Sequence, residues 1–277
     1  MRDQRREPDR FCSLFRSVVG NGFLRFGILP SYADIRITHP RSTTPSELLV
    51  KPTPSSPSIP ARPDYGAIVA GIISYVVNPL VLPPLLFALA LAHVRAPWGD
   101  VAQGTGVGVV FFTLLPLAYV LVLRMRGTIH SLEVRTRGHR FGPLAVGLMA
   151  GLLALAVVRL SSITGRSLLM ALILCHVLNT ALIAAITLRW KISIHCIALA
   201  GVASSLLFVR LHVDGGLLAG PGIGRALVVS ALALVPVLAW ARVRSNAHTV
   251  PQVTGGSLFG LVLPYAELHL LSELALF

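Results

Sequence analysis

Three short stretches of this chain combine Arg or Lys with His and carry almost no acid. They read Glu133-Val-Arg-Thr-Arg-Gly-His-Arg-Phe-Gly-Pro143, Arg189-Trp-Lys-Ile-Ser-Ile-His195 and Ala241-Arg-Val-Arg-Ser-Asn-Ala-His-Thr-Val-Pro-Gln-Val-Thr-Gly-Gly256. A guanidinium presents planar donors that match phosphate oxygens. An imidazole near neutral pH can give a proton or act as a nucleophile. Ser193 suits the N-cap of a helix that would hold His195 in its first turn, and Pro251, just after His248, suits the first residue of another. Helix N-termini turn free N–H groups and a positive dipole end toward anions. Taken singly, each stretch is an ordinary basic anchor beside an apolar span. Together they predict one phosphate site, because such chemistry needs groups that converge.

The elements that must bring them together are apolar. Of 277 residues, 54% are hydrophobic and 13% charged, against about 25% charged in soluble domains. The mean hydropathy is +0.75. The net charge of +13 comes from 24 basic and 11 acidic residues, and the basic ones punctuate long apolar runs. This pattern predicts an all-α, polytopic membrane bundle of six to seven transmembrane helices. It excludes a soluble enzyme, a secreted disulfide scaffold and a DNA-binding domain, so no nucleic-acid partner is expected. Cys12, Cys175 and Cys196 are scattered without metal or disulfide spacing, and Cys175 and Cys196 read as small buried apolar residues.

Two regions follow from composition. Residues 1–62 are basic and rich in Pro and Ser and are expected to be a disordered leader. No apolar stretch follows their basic start, as a signal peptide requires, and their five acids argue against a transit peptide. A start codon placed too early is an open alternative. Residues 63–277 form the membrane domain, with apolar segments near 67–93, 105–123, 142–158, 167–188, 193–209 and 226–241. A weaker segment near 253–266 leads into an amphipathic tail. Asn78-Pro79 and Pro83-Pro84 should break or bend the first span, and Gly104, Gly106 and Gly108 suit close helix packing. With seven spans, the three basic stretches share one side with the N-terminus. That side carries nine basic loop residues against five on the other. The positive-inside rule then makes it cytoplasmic, in a cell inner membrane.

Arg242, His248 six positions on, Val253 and Gly256 resemble the third signature of the type 2 phosphatidic acid phosphatase superfamily. That signature is Ser-Arg, five residues, His, three residues, Asp, then Val and a Gly. Ile192-Ser-Ile-His195 resembles the family's second signature, Pro-Ser-Gly-His, and the order and spacing of the two also fit. The resemblance covers about 120–277. It implies a lipid phosphate or diphosphate phosphatase that needs neither metal nor cofactor. His248 would be the nucleophile that forms a phosphohistidine, and His195 the acid that protonates the leaving alcohol. Arg242, Ser193 and Lys191 would bind the phosphate. Arg137 and Arg140, with Arg135, would stand in for the family's first signature, which is absent as such. The implied partners are an anionic lipid phosphate substrate and membrane lipids; the oligomeric state is open. The chain departs from the pattern at Ala241 for Ser and at Ile192 and Ile194 for Pro and Gly. It also has Gln252 for the Asp that orients the nucleophile. An amide can accept the imidazole N–H but brings no charge. That departure leaves a second expectation open, a non-catalytic member of the same fold that binds or moves an anionic lipid.

Other polar residues carry plainer expectations. His176 and Asn179 share a face of the fourth span and suit interhelical hydrogen bonding. Glu267, His269 and Glu273 suit an interfacial helix. Asp214-Gly215-Gly216 and Gly220-Pro-Gly-Ile-Gly224 lack the preceding strand that a dinucleotide loop needs. His93 and His212, at span ends on the opposite face, need no function. The six acids after residue 62 are too dispersed for the Asp-rich metal motifs of prenyl or CDP-alcohol transferases, and no inverted repeat points to a transporter.

Overall fold

The structure is a computed structural model that describes residues 64–127 and 141–274. All regular structure among them is helical: α1 (Tyr65–Val76), α2 (Leu82–His93), α3 (Trp98–Met125), α4 (Phe141–Leu160), α5 (Arg166–Thr187), α6 (Ile194–His212), α7 (Ile223–Arg244) and α8 (Val250–Glu273). Five of them, α3 to α7, are long and apolar enough to cross a membrane. The chain is an integral membrane protein built as a helical bundle. Helices are the form in which a lipid-embedded backbone bonds to itself.

The first span is broken where its prolines predict. Asp64 caps α1 by accepting from the Ala67 N–H at 3.1 Å. The helix stops before Asn78-Pro79, since a residue preceding Pro is pushed out of helical geometry. The Asn78 side chain takes up the Leu80 N–H at 3.0 Å, and Thr113 of α3 donates to the Leu80 carbonyl at 2.6 Å. Thus α3 satisfies a group that the break sets free. α1 begins beside Arg244, at the end of α7, and α2 ends at His93, beside the connection from α6 to α7. The pair therefore runs from one end of the bundle to the other, beside the five long apolar helices.

α3 contains one π-helical stretch, Val109–Leu114. Pro116 explains it: its ring cannot donate and would clash with the carbonyl four residues back. Before this stretch, Gly104 lies against Leu91, and Gly108 against Pro84 and Phe87. Close packing against α2 thus accounts for these two glycines, whereas Gly106 faces open space.

α6 is the centre of the bundle, with 61% of its most apolar window buried against 11% for α3. Its main partner is α8. Gly256 faces the Ser193 carbonyl and Cys196, and Gly260 faces the Ile197 carbonyl, Ala200 and Gly201. Ser204 donates across to the Gly260 carbonyl at 2.9 Å. Small residues let two backbones approach closely where the hydrophobic effect gives no drive between helices.

α8 corrects the expectation of a weak segment followed by an interfacial tail. It is one helix of 24 residues. Leu268 and Leu271 are buried, and Glu267 accepts from Asn179 of α5 at 2.5 Å. Glu267 thus faces a partner inside the bundle, while His269 and Glu273 are exposed, and these polar residues dilute the helix's apolar signal. The same contact bears out the interhelical reading of Asn179. Its neighbour His176 packs edge-on to Phe112, with ring centroids 4.6 Å apart.

At the end of the bundle where α2 stops, His93 is fully buried. Its Nδ1 accepts from the Leu218 N–H and its Nε2 donates to the Val213 carbonyl, both at 3.0 Å. Gly215 packs against the same ring. Arg210 donates to the Leu218 and Gly220 carbonyls. The Gly-rich connection is thus a clamp that joins α2, α6 and α7.

The glycine contacts predict an asymmetry. Gly260→Ala would place a methyl against the α6 backbone and should lose about 1–3 kcal/mol through overpacking. Gly106→Ala should cause no loss. Thermal unfolding of the two purified variants in one detergent checks this.

Candidate functional site

The spacing from Arg242 to His248 is set by how α7 ends. Asn246 takes a left-handed φ of 53°, a conformation Asn tolerates better than most side chains. Its N–H reaches the Val243 carbonyl at 3.0 Å, and the Ala247 N–H reaches the Arg242 carbonyl at 3.1 Å. This is the Schellman pattern that closes a helix. The His248 N–H also reaches the Arg242 carbonyl, at 3.2 Å. One carbonyl therefore ties the nucleophile candidate to the arginine candidate.

α8 then starts with a capping box between Thr249 and Gln252. Gln252 Oε1 accepts from the Thr249 N–H at 3.3 Å and lies 3.0 Å from His248 Nδ1. Because this atom already accepts from a backbone N–H, it is the amide oxygen. His248 must then donate from Nδ1, which leaves the lone pair on Nε2. His248 is 8% exposed. So Gln252 holds the ring in one tautomer while capping the helix.

The start of α6 lies alongside. Ser193 is its N-cap but makes no side-chain cap bond, and it is fully buried. Its N–H donates to the Gln252 carbonyl at 3.4 Å, so the N-termini of α6 and α8 sit side by side. Lys191 donates to the Ala247 carbonyl at 3.1 Å. His195 lies in the first turn of α6, half-buried. Arg242 is 4% exposed, with the Cys196 thiol in the first turn of α6 nearby.

Arg242, His248, Gln252, Ser193, Lys191 and His195 therefore share one end of the bundle. α3 ends and α4 begins at that end; Arg137 and Arg140 lie outside the described residues. The residue that sequence reasoning passed over is Ser257, whose hydroxyl also neighbours the Cys196 thiol. Its signal was positional: it follows Val253 by four residues, on the flank of α8 that turns toward α6.

The two arginines of α7 have different tasks. Two residues apart on a helix they face different ways. Arg244 is half-exposed and donates to both carboxylate oxygens of Asp64, at 2.7 and 2.6 Å, which fastens α1 to α7. The Ala67 N–H and then Arg244 hold the Asp64 carboxyl below its ordinary value of 3.8. The link is fully present above that value and is lost only as pH falls through the lowered one. Among the described residues, no group of three His, Cys, Asp or Glu side chains is placed to hold a metal ion.

No protein-family model, no curated protein and no solved structure matches this chain.

Gln252→Ala should remove both the cap and the ring contact. The expected loss is about 1 kcal/mol of stability, together with loss of the single His248 tautomer. Thermal unfolding and nitrogen NMR of labelled histidine read the two effects separately.

Proposed function

We propose that this chain is a membrane-embedded phosphatase of the type 2 phosphatidic acid phosphatase kind, acting on a lipid phosphate or diphosphate. The observation that carries the reading is the His248–Gln252 hydrogen bond beside a buried arginine. It supports a ring whose Nε2 lone pair is aimed by its other nitrogen, as a nucleophilic imidazole needs. In this reading His248 Nε2 attacks the terminal phosphorus, and the bond from it to the leaving oxygen breaks. That oxygen belongs to the lipid alcohol or, for a diphosphate, to the lipid monophosphate. His195 gives its proton to the departing oxygen. A water that loses its proton to His195 then attacks the phosphohistidine, which frees phosphate and restores the imidazole. Arg242 and Lys191 offset the charge on the equatorial oxygens, Ser193 donates its hydroxyl to them, and the N-terminus of α6 adds backbone N–H groups. The basic side of the bundle, and with it this site, would face the cytoplasm across a cell inner membrane.

A second reading, a non-catalytic protein of the same fold that binds or moves an anionic lipid, is favoured by Gln252. A neutral amide orients the ring but does not stabilise its cationic, phosphorylated form.

The test uses purified protein, a chelator, and phosphatidic acid or an isoprenyl diphosphate in detergent. Phosphate release is expected from the natural protein. His248→Ala should lower it at least about a thousandfold, as loss of a nucleophile does. Full activity in His248→Ala would overturn the phosphatase reading. An inactive natural protein that gains turnover through Gln252→Asp would select the second one.

A further inference from the structure

Deeper in the same end of the bundle, two buried hydroxyls have only a weakly bonding thiol to meet. Ser193 Oγ at the start of α6 and Ser257 Oγ on α8 find no oxygen or nitrogen partner among the described residues. Both neighbour the thiol of Cys196, itself a weak hydrogen-bonding group, and Arg242 lies near the same thiol. Ser193 is fully buried. Each hydroxyl forgoes its usual local outlet. An N-cap serine ordinarily accepts from its own first turn, and Ser193 does not. A serine inside a helix ordinarily bonds back to the carbonyl four residues earlier, and Ser257 does not. A buried hydroxyl with no partner costs about 1–3 kcal/mol; a thiol offsets only part of that, and two such hydroxyls in one place mark a site shaped for something other than its own packing.

We infer that Ser257 is a further anion-binding residue: with Ser193 it forms an inner pair of hydroxyls, from α8 and α6, that donates to the oxygens of a phosphate group held by Arg242. This rests on the anion site proposed above and extends it one helical turn into the bundle. The ligand chemistry is that of a phosphate oxyanion, whether free or on a lipid head. Hydroxyl donors suit it because they neutralise no charge, so they add to Arg242 without requiring a further buried cation. Gly256 is what admits them. Its bare backbone lets the Ser193 carbonyl approach, and a methyl there would meet that oxygen at 2.9 Å.

The test measures calorimetric affinity for inorganic phosphate and melting temperature without phosphate, on the full chain in detergent. A lipid phosphate monoester serves as the second ligand and shows whether the free or the esterified form is preferred. For Ser257→Ala the inference expects phosphate affinity to fall about tenfold, the lower end for a hydrogen bond to a charged group. It also expects the melting temperature without phosphate to stay level or rise, since an unmet hydroxyl has been removed. Ser257→Thr, which keeps the hydroxyl, should restore affinity. A merely structural serine would give the opposite pair, lower stability with unchanged affinity. Unchanged phosphate affinity in Ser257→Ala, alongside loss of binding in Arg242→Ala, would overturn the inference and leave the anion site standing. A natural protein that binds neither ligand would overturn both.

Discussion

The contact on which the rest depends is the close approach of α6 and α8. In a bilayer two apolar helices gain little from burying surface against each other, so contact is decided by how near the backbones come. Gly256 and Gly260 remove the side chains that would hold them apart, and Ser204 binds across the gap to the Gly260 carbonyl. Because the crossing is tight at its upper end, the Ser193 N–H meets the Gln252 carbonyl. Two helix N-termini are thereby fixed side by side, each with N–H groups that its own helix cannot use. Everything distinctive at that end of the molecule is arranged around this pairing.

The end of α7 supplies the third component. A single carbonyl, that of Arg242, accepts the N–H groups of Ala247 and His248. The turn both terminates α7 and delivers His248 to the start of α8. Gln252 then serves two neighbours with one oxygen, the backbone of Thr249 and the ring of His248. Local chain geometry, rather than a long-range network, thus determines how the arginine and the histidine are presented. The opposite end of the bundle is held separately. There the buried His93 and the half-buried Arg210 fix the connection between α6 and α7.

Much of this was legible in the residues. The helical membrane bundle, the break at Asn78-Pro79 and the clustering of basic residues beside His195 and His248 follow from proline chemistry and from the high cost of placing charge in lipid. α8 was misjudged because hydropathy measures one segment at a time. A helix that packs on α5 and α6 can carry Gln252 and Glu267 if partners face them, and a sum over its own residues does not contain those partners. The motif spacing singled out Arg242 in the sequence and left Arg244 without a task. Only the position of Asp64, 180 residues away, separates the arginine that braces α1 from the one buried among α6, α7 and α8.

The sequence by itself determined that this is a helical membrane protein, roughly where the chain crosses, and which residue types could meet a phosphate. Those properties depend on local composition and on the solvent the chain must suit. Tertiary structure decided which of those residues stand together and in what state. The tautomer of His248 depends on an oxygen already engaged by Thr249. The burial of Ser193 depends on a glycine of another helix, and the separate tasks of Arg242 and Arg244 depend on where α1 begins. The first is settled within one turn at the start of α8; the other two are relations between distant parts of the chain, settled when helices pack against each other.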